Sequence, residues 1–278
     1  MADFAPIYVA ARSVLLDALE TLELQRDAVV VVGAQAIYMR TGEADIADPP
    51  YTADADFALA PSELADTPLL EELMQRGDFS RRAQPGAWEK EVTVEGHPRR
   101  IEVDLMVPEA LAGGSGRRSV ELGPHDRMAT RRTRGLEGVV VDNDRIEIEA
   151  LSPQDPRRFA CNVAGPAALL VAKLFKVQER VVAARQDRIA DKDAGDLYRL
   201  MLTIPMSEFS PRLERLLADP VSREPTTTAL RYLDELFGAP AAVGVTMAER
   251  GLRGVVPPER IQSVCTGFVR QLRAALKR

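Results

Sequence analysis

Cysteine and histidine are scarce: the 278 residues contain only Cys161 and Cys265, and only His97 and His125. Two thiols without a spacing motif argue against a disulfide scaffold or a zinc site and fit a reducing, cytoplasmic setting. Long apolar runs are missing as well. No uninterrupted stretch approaches the ~20 residues of a membrane-spanning helix, and the N-terminal residues lack the basic start and apolar core of a secretory signal. Strong charge of one sign is absent: 36 Lys and Arg against 42 Asp and Glu give a net charge of −6. No global field therefore draws the protein to nucleic acid or to an anionic membrane. Glycine is missing where a dinucleotide-binding turn needs it, since the turn at Gly33 has one glycine where G-x-G-x-x-G requires three. No internal repeat or low-complexity tract interrupts the chain. The hydrophobic share of 46% and charged share of 28% are those of a globular protein. The length suits one large domain or two modest ones.

The most informative stretch is Val29-Val30-Val31-Val32-Gly33-Ala34-Gln35-Ala36, followed by Thr52-Ala53-Asp54-Ala55-Asp56-Phe57-Ala58-Leu59. Four consecutive valines predict a strand buried on both faces, and Gly33 marks the turn into a helix over 34–41. Residues 54–59 predict a second strand. Side chains two apart on a strand share a face, so Asp54 and Asp56 stand together, about 6–7 Å apart at Cα, with Phe57 and Leu59 on the other side. Two such carboxylates repel unless a cation lies between them, and a divalent metal is the simplest remedy. Ile101-Glu102-Val103-Asp104-Leu105-Met106 alternates strictly. Placed beside 54–59, it would bring Asp104 to the same face, with Glu102 sharing that face.

Elsewhere the periodicity predicts helices over 5–25 and from Pro61 to about Arg76, with an exposed loop over 43–51. A strand pair is expected around Trp88–Val94 and Arg99–Val107, and a hairpin from Gly138–Val141 and Arg145–Ile148 turned at Asp142-Asn143-Asp144. Between them lie Gly113-Gly114-Ser115-Gly116 and an arginine cluster: six arginines against Glu121 and Asp126 over residues 117–134, a local charge of +4. This cluster reads either as a solvated loop or as a surface for an RNA backbone. Pro153 and Pro156 mark a boundary between an α/β domain (1–152) and an α-helical domain (153–278). On the long helix opened by Pro166, Leu170, Leu174, Val177 and Val181 form a core stripe beside a basic stripe of Lys173, Lys176 and Arg180. A helix over 191–203 carries Asp193 and Asp196 three apart, and further helices follow near 208–218, 226–237 and 258–276. Both histidines lie in turn-like contexts that favour a surface role, Trp88 reads as core or interface, and the two cysteines read as buried spacers.

The Gly33 turn, the D-x-D strand and a third carboxylate on a later strand together resemble the nucleotidyltransferase superfamily. Ala172-Lys173-Leu174 and Asp191-Lys192-Asp193-Ala194-Gly195-Asp196-Leu197-Tyr198-Arg199-Leu200 are similar to the helical motifs of its AbiEii-type branch. That branch includes toxins of toxin–antitoxin and abortive-infection systems, among them the MenT-like tRNA-modifying enzymes. The resemblance covers about residues 28–203. It implies a mixed-sheet α/β domain followed by an α-helical domain, and a site for a nucleoside triphosphate with Mg²⁺ or Mn²⁺. Asp54, Asp56 and Asp104 would be the metal ligands, with Asp104 also helping to deprotonate an acceptor hydroxyl. Lys173 would reach the triphosphate, and Asp196 would hold Lys173 or contact the nucleotide. Gly33, Ala34, Gln35 and Thr52 would line the phosphates. The acceptor could be the 3′ end of a tRNA, and an antitoxin protein would be a partner. One departure stands out: the family's turn usually carries Ser or Thr, whereas Gly33-Ala34-Gln35 offers no hydroxyl. Two alternatives therefore stay open, a catalytically decayed binding or regulatory module and phosphoryl rather than nucleotidyl transfer.

Overall fold

The computed structural model describes residues 4–42, 52–114, 116, 118–183 and 188–277. The loop expected over 43–51, Ser115 of the glycine-rich segment and Arg117 of the arginine cluster lie outside the described residues. The elements run α1 (Pro6–Thr21), β1 (Val29–Val32), α2 (Gly33–Thr41), β2 (Asp54–Leu59), α3 (Leu70–Arg76), β3 (Ser80–Arg81), β4 (Ala87–Val94), β5 (His97–Pro108), β6 (Arg131–Thr133), β7 (Asn143–Glu149), β8 (Arg158–Ala164), α4 (Pro166–Val182), α5 (Arg188–Thr203), α6 (Met206–Ala218), α7 (Arg223–Phe237), α8 (Val243–Gly251) and α9 (Pro258–Ala275). Among the described residues no helix is long and apolar enough to cross a membrane.

One mixed sheet, ordered β3-β4-β5-β2-β1-β8-β7 with β6 beside β5, forms the frame. β1 runs near its centre, antiparallel to β2 and parallel to β8, and all four of its valines are buried. That is the environment β-branched side chains suit, packed between neighbours on both edges and both faces. β2 runs parallel to β5. α1 packs across β2, β4, β5 and β8 and buries Val14, Leu15 and Leu19, while α2 contacts α4 and α5. The core stripe of α4 is buried at Leu170, Leu174 and Val177, with Val181 half-buried at its end. Trp88 is fully buried and donates its indole N–H to the Ala129 carbonyl at 3.0 Å.

Several expectations need correction. The helix expected from Pro61 is a single 3₁₀ turn, Pro61–Glu63, and α3 begins only at Leu70. Pro68 lies between, lacking an N–H and disfavouring helical backbone at Thr67. The hairpin expected over 138–148 does not form: Glu137–Val140 is a 3₁₀ turn, and β7 pairs instead with β8. The sheet thus reaches across the expected boundary at 152/153, and the helical run starts at Pro166. β8 alternates buried Cys161 and Val163 with more accessible Arg158, Ala160 and Asn162, a period-two signal hidden beside the helical pattern. α8 is an additional short helix, tied to α5 by Arg250, which donates to both oxygens of Asp191 at 2.6 and 3.0 Å. His125 is buried rather than superficial: its Nδ1 accepts from the Leu70 N–H at 3.2 Å and its Nε2 lies 3.1 Å from the Ala65 carbonyl.

A buried ionic network joins sheet to helices. Asp142, at 0% exposure, accepts the Ala168 N–H in the first turn of α4 at 3.0 Å and an Arg212 N–H from α6 at 2.8 Å. Arg212 also reaches Asp144 at 2.8 Å, which is bound in turn by Arg40 of α2 at 2.7 Å. Removing one member of a buried charge pair strands the other, at a typical cost of about 3–5 kcal/mol. Asp142→Ala should therefore lower unfolding free energy by about 3–5 kcal/mol in a denaturant titration, with Asp142→Asn losing less because it can still accept the Ala168 N–H.

Candidate functional site

The sheet register places the acidic residues. Asp56 stands opposite Val32 of β1 and beside Asp104 of β5, while Asp54 stands beside Glu102. In-register residues on paired strands point to the same face, so Asp54, Asp56, Glu102 and Asp104 form a two-by-two array at the end of β1 where α2 begins. Glu102 is exposed and paired with Arg82. The other three carboxylates are partly or fully withdrawn from solvent.

Gly33 is the joint between β1 and α2. Its φ is +71°, which favours glycine, and a Cβ there would collide with the Asp56 carboxylate. Asp56 therefore lies directly against the backbone at the start of α2. The first turn of that helix has no side-chain cap, so its positive dipole end faces the acidic array. Burial, followed by the negative charge of Asp54 and then that of Asp104, pushes the Asp56 carboxyl up to about 6 against the partial relief of Lys176 and Lys173.

The neighbouring carboxylates are compensated differently. Burial works against the charge of Asp54, but the Lys192 ammonium, the Thr52 hydroxyl, Lys176 and Lys173 outweigh it and hold this carboxyl below its usual range. Thr52 is fully buried; its hydroxyl donates to Asp54 and accepts from Lys192 Nζ at 3.0 Å. Asp104 is raised, chiefly by burial and further by Glu102, although Arg131 opposes this. Arg131 of β6 donates to Asp104 Oδ2 at 2.7 Å.

Lys173 is 5% exposed and donates to Asp193 Oδ1 and Asp196 Oδ2, both at 2.7 Å. Burial alone would favour the neutral amine, yet those two carboxylates hold its pKa well above the ordinary lysine value. Two of the three N–H donors of Lys173, which was expected to reach a triphosphate, are thus committed within the fold. Among the described residues, Lys176, one turn along α4, is a less buried cation beside the array, with its side chain 43% exposed and 3.7 Å from Asp193. It acts on all three aspartates.

Gln35 also needs correction as a nucleotide contact. Its side chain is buried, donating to the Ala11 carbonyl at 3.2 Å and the Asp54 carbonyl at 2.9 Å, and accepting from Arg12 at 2.9 Å. It fastens the start of β2 to α1 and α2. Ala34 is buried beside it, so only backbone groups of this turn face the site. The residues missed from sequence are Lys176, Lys192 and Arg131. The basic stripe on α4 was the visible signal for Lys176, whereas nothing local distinguishes Arg131 from the other arginines of its cluster.

Among the described residues no group of three or more His, Cys, Asp or Glu side chains is arranged to hold a metal ion. Asp104, expected as the third ligand, is instead engaged by Arg131. Asp54 and Asp56 remain as a pair of hard oxygen donors. Such a pair suits Mg²⁺, which is commonly held by one or two carboxylates together with substrate phosphates and water. The undercompensated charge of Asp56 over Gly33 is consistent with that use. No protein-family model matches the chain, and no curated protein matches it.

The raised Asp56 carboxyl carries a stability signature. The folded state binds this proton more tightly than the unfolded chain, whose aspartate titrates near 3.9. Its contribution is therefore fully present below about pH 4 and is lost as pH rises through about 6. In metal-free buffer at pH 8, Asp56→Asn should unfold about 2–3 kcal/mol less readily than the native protein. The gap should close below pH 4 in paired denaturation curves.

Proposed function

We propose that this chain transfers a nucleotidyl group from a nucleoside triphosphate to a hydroxyl acceptor, with Mg²⁺ or Mn²⁺ held by Asp54 and Asp56. The observation that carries the reading is the seat of Asp56 against Gly33: a carboxylate pair and an uncapped helix start meet at one point, with Lys176 beside them. A divalent ion bound there would neutralise phosphate charge and stabilise the attacking and leaving oxygens. The backbone N–H groups at the start of α2 bind phosphate oxygens, an arrangement favoured by the helix dipole. Lys176 supplies a mobile positive charge to the triphosphate. Lys173, fixed by Asp193 and Asp196, positions α4 against α5 and so positions Lys176 and Lys192. Asp104 takes the proton of the acceptor hydroxyl as that oxygen bonds to the α-phosphorus and pyrophosphate leaves. Its raised carboxyl is closer to neutrality than an ordinary aspartate, which favours a general base.

The acceptor class is open among RNA, a protein side chain and a small molecule. The 3′ end of tRNA, a toxin role and a partner antitoxin rest on resemblance to the AbiEii-type branch. A non-catalytic binding module is favoured by one specific observation, the engagement of Asp104 by Arg131. Incubation with each α-labelled triphosphate, Mg²⁺ and total bacterial RNA separates the readings. Label should appear on RNA or protein with release of pyrophosphate, and Asp54→Asn should reduce it by at least about 10²–10³-fold, the scale of losing one preorganised charge-stabilising group. Release of nucleoside diphosphate would redirect the reaction to phosphoryl transfer. Absence of calorimetric binding by any triphosphate would overturn the enzyme.

Lys176→Gln should raise KM for the triphosphate about 10-fold, the worth of one charge-assisted contact of about 1.5 kcal/mol, while leaving the melting temperature nearly unchanged. Lys173→Met should behave oppositely and destabilise the fold by about 3–5 kcal/mol, because buried Asp196 would lose its ion pair and Asp193 would keep only the longer contacts of Lys176 and Arg180.

A further inference from the structure

Arg131 differs from the other arginines of its cluster. Its position is fixed by strand pairing: β6 lies parallel to β5 with Met106 opposite Arg131, two residues beyond Asp104 and on the same face. Its terminal nitrogen lies 2.7 Å from Asp104 Oδ2 and 3.3 Å from Met106 Sδ. The backbone leading into β6 is pinned from behind. The Gly86 N–H donates to the Met128 carbonyl at 2.9 Å, the Trp88 indole donates to the Ala129 carbonyl at 3.0 Å, and a Cβ at Gly86 would strike the backbone of Thr130 and Arg131. The guanidinium is thus held in place before any ligand arrives, with its side chain 30% exposed and that of Asp104 19% exposed.

The three aspartates divide accordingly. Asp54 is answered by Thr52 and Lys192, Asp104 is answered by Arg131, and Asp56 carries the undercompensated charge. We infer that Arg131 is a built-in cation standing where a second divalent ion would need the Asp104 carboxylate, so that the centre takes one divalent ion, at Asp54 and Asp56, instead of two. A paired-metal centre holds its ions about 3.5–4 Å apart and would need the Asp104 carboxylate as a ligand, whereas Arg131 already engages that carboxylate through Oδ2. A fixed guanidinium gives that carboxylate its positive neighbour without any demand on free metal concentration. The inference rests on the proposed divalent site at Asp54 and Asp56, and it makes Arg131 a positioning residue for Asp104.

Counting bound Mn²⁺ by loss of the free-ion paramagnetic resonance signal tests this on the full chain, without reference to activity. The native protein should bind one Mn²⁺ and Arg131→Met two. Arg131→Lys, which keeps the charge, should return to one, as should Arg131→Met combined with Asp104→Asn. Arg131→Gln serves as a second neutral variant should the methionine form fail to fold. Two ions on the native protein, or one on both neutral variants, would overturn the role of Arg131 while leaving the divalent site intact. No bound ion on any of these proteins would overturn the inference together with the site on which it rests.

Discussion

Everything at the candidate site follows from three like charges set side by side on a largely buried sheet face. The register of β1, β2 and β5 leaves no choice in this: Asp56 is fixed between Val32 and Asp104, and Asp54 lies two residues away on the same face. Desolvation penalises each charge, and each penalises its neighbours. The rest of the molecule is arranged around that cost. Lysines come from α4 and α5, an arginine comes from β6, and the open end of the α2 dipole arrives through Gly33. Asp56 keeps the least complete compensation, which marks the point where an external cation gains the most.

The helical half meets the same problem in its own interior. Lys173 with Asp193 and Asp196 is a buried ionic triad, and apolar groups of similar volume would hold α4 to α5 at least as well. What an apolar contact would not supply is register. A lysine that must satisfy two carboxylates three residues apart fixes α5 in both rotation and translation against α4. The residues that benefit are Lys176 on one helix and Lys192 on the other, whose distances to Asp54 depend on that alignment. The Asp142–Arg212–Asp144–Arg40 network does the same at the β7 edge of the sheet, linking α2 and α6 to it.

Sequence alone made the strands of this site legible because period-two alternation and β-branched runs are local signals. Val29–Val32, Asp54–Leu59 and the alternation over 101–106 needed no partner to be recognised, and the D-x-D spacing followed directly. The cations were harder to read because each is defined by a register between distant segments. Arg131 reaches Asp104 through the pairing of β6 with β5, and Lys192 reaches Thr52 across 140 positions of chain. Gln35 misled for a different reason: spacing placed it at the phosphate turn, but its rotamer sends the amide inward to Arg12. β8 was obscured because its short alternation adjoins the strong helical pattern after Pro166. Pro68 cut the expected helix after Pro61 through a local steric rule that periodicity does not see.

Gly33 and Gln35 together show how a turn without a hydroxyl would serve an anion in the proposed function. A serine in such a turn would offer one O–H to a phosphate. Here the Gln35 amide instead ties the Asp54 carbonyl to α1, fixing the carboxylate pair relative to the helix start. In the proposed reading, contact with an anion would fall to backbone N–H groups, whose direction is set by the helix and is independent of side-chain rotamers. The exchange trades one adaptable donor for a more rigid placement of the charges that flank it. With Asp104 already held by Arg131, Lys176, its side chain 43% exposed, is the more adaptable of these charges.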